Sequence, residues 1–182
     1  MYATNDNLQA IASRNMIKDA LITLMKQYPY KDITITQICQ EAQIVRQTFY
    51  RNFEAKDEIL IFLLDGMIRL YYTDYRNENN AYIQLMNFFT FMLINRELLL
   101  LLSKNNLLFL IDKTITSNIT VLFEIRQISE IEEGTEKYVI GFIASTVCSL
   151  LSIWINEGFA ETPETICKLA QIFLSGLSAP NR

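Results

Sequence analysis

Arg46, Gln47, Tyr50 and Arg51 fall on one side of a short stretch, Arg46 to Asn52, with Thr48 and Asn52 flanking them. These are side-chain types that read and hold nucleic acid. A guanidinium pairs with the edge of guanine, a Gln amide pairs with adenine, and a Thr hydroxyl serves either a base or a phosphate. Tyr50, Asn52 and Lys56 suit phosphate oxygens, which fix register without reading sequence. Any solvated helix face can also display Arg, Gln, Thr and Tyr, so on spacing alone DNA binding and a plain surface both stay open.

The neighbouring residues describe how such a face would be held. Thr34-Ile35-Thr36-Gln37 announces a helix: Thr34 can accept from the amide three residues on while Gln37 reaches back, which makes a capping box. That helix ends near Ala42, and a second short helix follows over Arg46–Asn52. Ile38, Ile44, Phe49 and Phe53 supply the inner side, so the pair has helix-turn-helix proportions. Before it, a helix runs from Asn5-Asp6-Asn7 to about Gln27, with Ile11, Ile17, Leu21 and Leu24 at helical spacing. Tyr28-Pro29-Tyr30 stops it, because proline disfavours α geometry in the preceding residue. After it, a helix begins near Ala55 with Asp57 and Glu58 at its positive end and continues through Tyr75.

The whole chain has 182 residues, 51% of them hydrophobic, with five glycines, three prolines and no histidine. Too few turn residues are present for a β sandwich, so the fold class is all-α with about nine helices. The absence of histidine removes Ser-His-Asp and Cys-His catalysis and nearly all zinc sites. No paired-carboxylate site, phosphate loop or metal spacing is visible, so neither an enzyme nor a cofactor nor a metal is expected. Cys39, Cys148 and Cys167 are odd in number and widely spaced, which suits reduced thiols in a cytoplasm. Tyr138 to Asn156 is uncharged over 19 residues, close to the length of a membrane span. Its Ser and Thr content and the lack of flanking Lys/Arg clusters suit a helix buried on two sides of a soluble assembly, and no membrane partner is expected.

Net charge is −4, yet residues 1–60 hold seven basic and seven acidic side chains, so the acidic excess lies entirely in 61–182. Within Ile44 to Lys56 three basic residues face one acidic residue. An acidic chain therefore confines double-stranded DNA to one short face without excluding it.

The run from Thr34 to Leu60 resembles the DNA-binding domain of the TetR family of bacterial transcriptional regulators. Thr34, Ile38, Thr48, Phe49, Tyr50, Phe53, Lys56 and Ile59-Leu60 stand at the places of its usual pattern, a Thr-led helix, a turn, then T-[LF]-Y-x-[HY]-F-x-x-K. The likeness is specific over about residues 8–65; beyond, only the architecture and a late WINEGF segment (Trp154–Phe159) agree. The resemblance implies a helix-turn-helix domain at 1–55 and a helical effector-binding and dimerisation domain at 56–182. It implies phosphate contacts from Thr48, Tyr50 and Lys56 and base contacts near Thr36, Arg46 and Gln47. With their neighbours, the candidate DNA set is Thr34, Thr36, Gln37, Val45, Arg46, Gln47, Thr48, Tyr50, Arg51, Asn52 and Lys56. Three departures stand out. Gln43 replaces the usual turn Gly, where a left-handed backbone would be strained. Val45 replaces a Ser or Thr helix cap, and Asn52 replaces a common His.

The resemblance further implies a homodimer through the last two helices, with Phe142, Val147, Leu150, Leu151 and Ile172 as interface candidates. Phe88, Phe89, Phe109, Phe123 and Trp154 are candidate pocket residues for a small apolar or neutral effector, although ordinary core would show the same aromatic spacing. Arg96, Lys113 and Arg126 are the nearby cations, and a solvated face is their default. A repressor is the expected regulator. The RQTFY run is also similar to the subgroup containing dihydroxyacetone-kinase operon activators, which leaves activation, or control by a protein partner, as the alternative.

Overall fold

The computed structural model describes residues 5–75, 78, 80–122 and 134–175. Among them the order is α1 (Asn5–Gln27), a 3-10 turn (Tyr30–Asp32), α2 (Ile35–Glu41), α3 (Arg46–Asn52), α4 (Lys56–Tyr75), α5 (Ala81–Ile94), α6 (Arg96–Lys104), α7 (Leu108–Leu122), α8 (Glu136–Asn156) and α9 (Pro163–Ser175). The fold is all-α, as the composition requires, with nine helices among the described residues. Two compact units result, Met1–Asp65 and Gly66–Arg182, and the division falls inside α4. Ile59, Leu60 and Leu64 on the first turns of α4 are buried, which ties those turns to the first unit.

In the first unit α1, α2 and α3 pack pairwise on one another. Ile17, Leu21, Ile38 and Phe49 have no exposed surface. Burying a Phe of this kind contributes roughly 1.5–3 kcal/mol. The Phe53 ring meets Phe49 and Phe62, and the Arg14 guanidinium lies over Phe53 and Phe62.

The second unit is organised by α5 against α9 and by α8 against α6, α7 and α9. Phe88, Phe89, Met92, Leu99, Val147, Leu151 and Trp154 form its interior. The sequence breaks at Asn80 and at Lys104-Asn105-Asn106 are real, but the apolar run between them is two helices. α5 and α6 turn by 69° at Asn95, whose side-chain amide bonds back to the Phe91 carbonyl. At the end of α6, Asn106 takes φ 58° and the Leu107 amide donates to the Leu102 carbonyl at 2.9 Å, a left-handed helix stop. α8 is long and apolar enough to cross a membrane, yet one side of it is packed inside the unit through Ile143, Ala144, Val147, Leu151 and Trp154. The far end of the last expected helix, to Leu177, lies outside the described residues. Cys39, Cys148 and Cys167 are free and buried, and burial pushes the Cys148 and Cys167 thiols up to about 11.

The recognition-type turn carries the strain that its sequence implied. Gln43 sits at φ 55°, its amide bonding to the Gln40 carbonyl and that of Ile44 to the Cys39 carbonyl. Val45 then starts α3 from an extended conformation, φ −82° and ψ 152°, with no side-chain cap. A Thr at this position adopts the same backbone and supplies the missing acceptor. Val45→Thr is therefore expected to raise unfolding stability by about 1 kcal/mol, read from urea denaturation; an unchanged midpoint would show that α3 needs no cap.

Candidate nucleic-acid interface

The capping box forms. Thr34 Oγ1 accepts from the Gln37 amide at 3.3 Å while the Thr34 amide donates to Gln37 Oε1 at 2.8 Å. This reciprocal pair starts α2 at a fixed residue, and it engages Thr34 and Gln37 with each other. Thr36, the second residue of α2 and exposed, accepts a hydrogen bond from Arg46 Nη2. Arg46 opens α3, so this bond joins the outer sides of the two helices across the turn.

On α3 the division of faces is clean. Phe49 is fully buried, whereas Arg46, Gln47, Tyr50 and Arg51 are exposed. Tyr50 stands edge-on to Phe49 with ring centroids 5.5 Å apart, which steadies its ring and leaves its hydroxyl outward. Thr48 and Asn52 are half-buried, and Asn52 Nδ2 donates to the Thr48 carbonyl at 2.8 Å. One Asn52 amide proton is thereby committed, with the second still available for a phosphate. Val45 is 67% exposed at the head of α3. An apolar side chain there fits the methyl group of thymine better than it fits water.

Lys56 is turned toward the 3-10 turn. Its side chain is half-buried, and its ammonium donates inward to the carbonyls of Tyr30 and Ile33 at 2.7 and 2.9 Å. The sequence placed it at the end of a phosphate-binding pattern, and no side-chain periodicity could show that its partners are backbone carbonyls of the 3-10 turn.

The second unit rearranges the other candidates. Phe88, Phe89 and Trp154 come together: Phe89 lies edge-on to Phe88 and to Trp154, at 5.4 and 6.0 Å between centroids. All three are buried core. Phe109 is 61% exposed and does not join them, and Phe123 and Arg126 lie outside the described residues. Arg96 and Lys113 are exposed. Of the interface candidates, Phe142 and Ile172 face outward and Leu150 is half-buried. Val147 and Leu151 are fully enclosed by their own unit, so they are not free to meet a second chain. The outward face of α8 and α9 is carried instead by Tyr138, Phe142, Ile153, Leu169, Ile172 and Phe173. A helix apolar all round hides which side is which, and the packing of α6, α7 and α9 decides it.

No family model matches the chain. Over 74 residues, 41% of its length, it is 30% identical to the HTH-type dhaKLM operon transcriptional activator DhaS of Lactococcus lactis subsp. lactis (strain IL1403). The match is to a regulator of transcription. It spans 37% of that relative's length. The solved structure of a dihydroxyacetone kinase operon activator DhaS superposes with a TM-score of 0.53 at 20% identity, over 93% of this chain and 96% of that one. At that identity the likeness is one of fold. Both similar proteins are transcription regulators by name and not enzymes.

The Thr36–Arg46 bond gives the interface a checkable property. Thr36→Val keeps the side-chain shape and removes the acceptor, freeing the guanidinium to move. A hydrogen bond to a charged group contributes about 1.5 kcal/mol, so binding to the chain's preferred duplex is expected to fall roughly tenfold. Binding to random duplex should be unchanged. Fluorescence anisotropy with both duplexes decides it, and an equal loss on both would dismiss the pair as a recognition unit.

Proposed function

We propose that the chain is a TetR-type transcriptional regulator that binds double-stranded DNA with α2 and α3 and works in the cytoplasm as a homodimer. The observation that carries this reading is the two-sided character of α3. Its inner side is anchored by Phe49, and its outer side presents Arg46, Gln47, Tyr50 and Arg51 to solvent. The similarity to named transcriptional activators supports regulation of transcription, and it favours activation over the repressor that the general family pattern implies. In this reading Met1–Asp65 is the DNA-binding domain and Gly66–Arg182 the regulatory and dimerisation domain. Arg46, Gln47 and Val45 approach base edges in the major groove, while Tyr50, Arg51 and the free Asn52 amide proton meet phosphates.

Dimerisation is proposed through the outward apolar sides of α8 and α9. Two copies related by a two-fold axis present two reading heads to a palindromic site, with half-sites about one helical turn apart. The control input in this reading is a small apolar or neutral effector bound by the second unit, where a buried unpaired charge would be costly. A protein partner is the second reading. It is favoured by the filled ring-to-ring packing of Phe88, Phe89, Trp154 and Phe159. Ligand-induced rises in melting temperature support the first reading, and a stoichiometric complex with a second protein supports the other.

Purified protein is expected to bind one duplex selected from a randomised pool at least about a hundredfold more tightly than random duplex at near-physiological salt. Affinity should fall as salt rises with a shallow slope, about −1.8 per reading head, because Arg46 and Arg51 are the side chains that displace counterions. Anisotropy titrations at several salt concentrations check both; equal affinity for selected and random duplexes removes the regulator reading. For the dimer, Ile172→Asp places a charge on the outward face of α9 without touching the core. Sedimentation is expected to show monomers, and affinity for the palindrome should drop about a hundredfold or more as one reading head loses the help of the other. An Ile172→Asp dimer of unchanged stability would move the interface elsewhere.

A further inference from the structure

The first turn of α4 holds a clamp that the phosphate-contact reading of Lys56 does not account for. Lys56 Nζ donates to three backbone carbonyls, those of Tyr30 at 2.7 Å, Ile33 at 2.9 Å and Lys31 at 3.4 Å. It also stands 4.4 Å from the centroid of the Tyr30 ring, within the range of a cation–π attraction. An ammonium has three protons to donate and accepts nothing, so these carbonyls account for its whole capacity. The next residue grips the same turn through the Tyr30 side chain, since the Tyr30 hydroxyl donates to the Asp57 carboxylate. Tyr30 itself is buried.

The chain order shows what the clamp controls. The Ile33 carbonyl lies one peptide before Thr34, the residue that caps α2, and α2 carries Thr36 and Gln37. On the other side, α4 follows α3 after Phe53, Glu54 and Ala55. One ammonium therefore ties the residues entering the helix-turn-helix to the residues leaving it. Drawing Lys56 out to a phosphate would take the cation from the Tyr30 ring and the ammonium donor from the part-buried Ile33 carbonyl, and would leave the Tyr30 carbonyl only the Ile33 amide at 3.2 Å; a part-buried carbonyl that loses a donor is costly.

We propose that Lys56 is a positioning residue of the DNA interface, acting through the 3-10 turn on the start of α2 and making no phosphate contact of its own. The proposal rests on the DNA-binding reading above and deepens it. A clamp and a phosphate contact differ in what they do to the salt dependence. Each phosphate contact contributes about −0.9 to the slope of log affinity against log salt. A clamp contributes nothing to that slope, but it sets how well Thr36 holds Arg46 toward its base.

The test uses the full-length chain carrying Lys56→Met, which keeps the aliphatic stem and removes the donors. It is run on the duplex that the unaltered chain selects from a randomised pool and on a random duplex, well below the melting temperature of the variant. The expected result is about a tenfold loss on the selected duplex, no loss on the random one, and an unchanged salt slope on both. Tyr30→Phe cuts the Asp57 side of the clamp alone. It is expected to give the same selective loss to a smaller degree, and it serves if Lys56→Met does not fold. Equal losses on both duplexes with a slope shallower by about 0.9 would overturn the proposal in favour of a phosphate contact. A lower melting temperature with both affinities intact would overturn it in favour of a purely structural role. If the unaltered chain selects no duplex, the DNA-binding reading itself fails, a result visible before any variant is made.

Discussion

A seven-residue helix does not persist in water by its own hydrogen bonds, because nucleation costs more than so few residues return. α2 and α3 are both of that length, and they carry the side chains proposed to meet DNA. Their geometry is therefore imposed by tertiary packing. α2 at least has a reciprocal cap in Thr34 and Gln37. α3 has none, and it begins three residues after a strained Gln43. What holds it is the complete burial of Phe49, with Ile38 and Phe53 around it. The outward display of Arg46, Gln47, Tyr50 and Arg51 is the other side of that same fact, since a helix pinned by one side chain has its remaining sides assigned.

The second unit solves a different problem with the same physics. α8 is apolar around most of its circumference, and a single chain can cover only part of it. Ile143, Val147, Leu151 and Trp154 are covered from within, while Tyr138, Phe142 and Ile153 are left outward beside Leu169, Ile172 and Phe173 of α9. Exposed apolar side chains of this size are unfavourable in water, and this is what favours the proposed two-fold copy as their cover. The aromatic cluster on the inner side is filled ring against ring, and this is why the cluster works first as a core.

How much of this was legible in the sequence follows from the range of each interaction. The Thr34–Gln37 box, the limits of α3 and the inner roles of Ile38 and Phe49 are local, and three- and four-residue spacing announces them. The strain at Gln43 was legible only through the resemblance, in which a Gly usually holds that place in the turn. The corner at Asn95 was not, since Arg96 and Glu97 interrupt an apolar run without a Gly or Pro to mark it. Nor could the inner and outer sides of α8 be told apart. The Val147 and Ile153 side chains are chemically alike, and only the helices packed beside them distinguish one from the other. Lys56 was the least legible of all: a motif reports side chains, and its partners are carbonyls that every residue possesses.

Turning Lys56 inward also changes the electrostatics of the proposed interface. Of the three basic residues between Ile44 and Lys56, only Arg46 and Arg51 remain outward, and Arg46 is already engaged with Thr36. The first 60 residues are neutral overall and the acidic excess lies beyond them. Long-range attraction to DNA is then weak, and so is the counterion release that supplies most non-specific affinity. On the proposed reading, the chain has to win its site by the fit of a few placed groups. That makes the placing interactions, the Thr36–Arg46 bond and the Lys56 clamp, as consequential as the side chains that reach the bases.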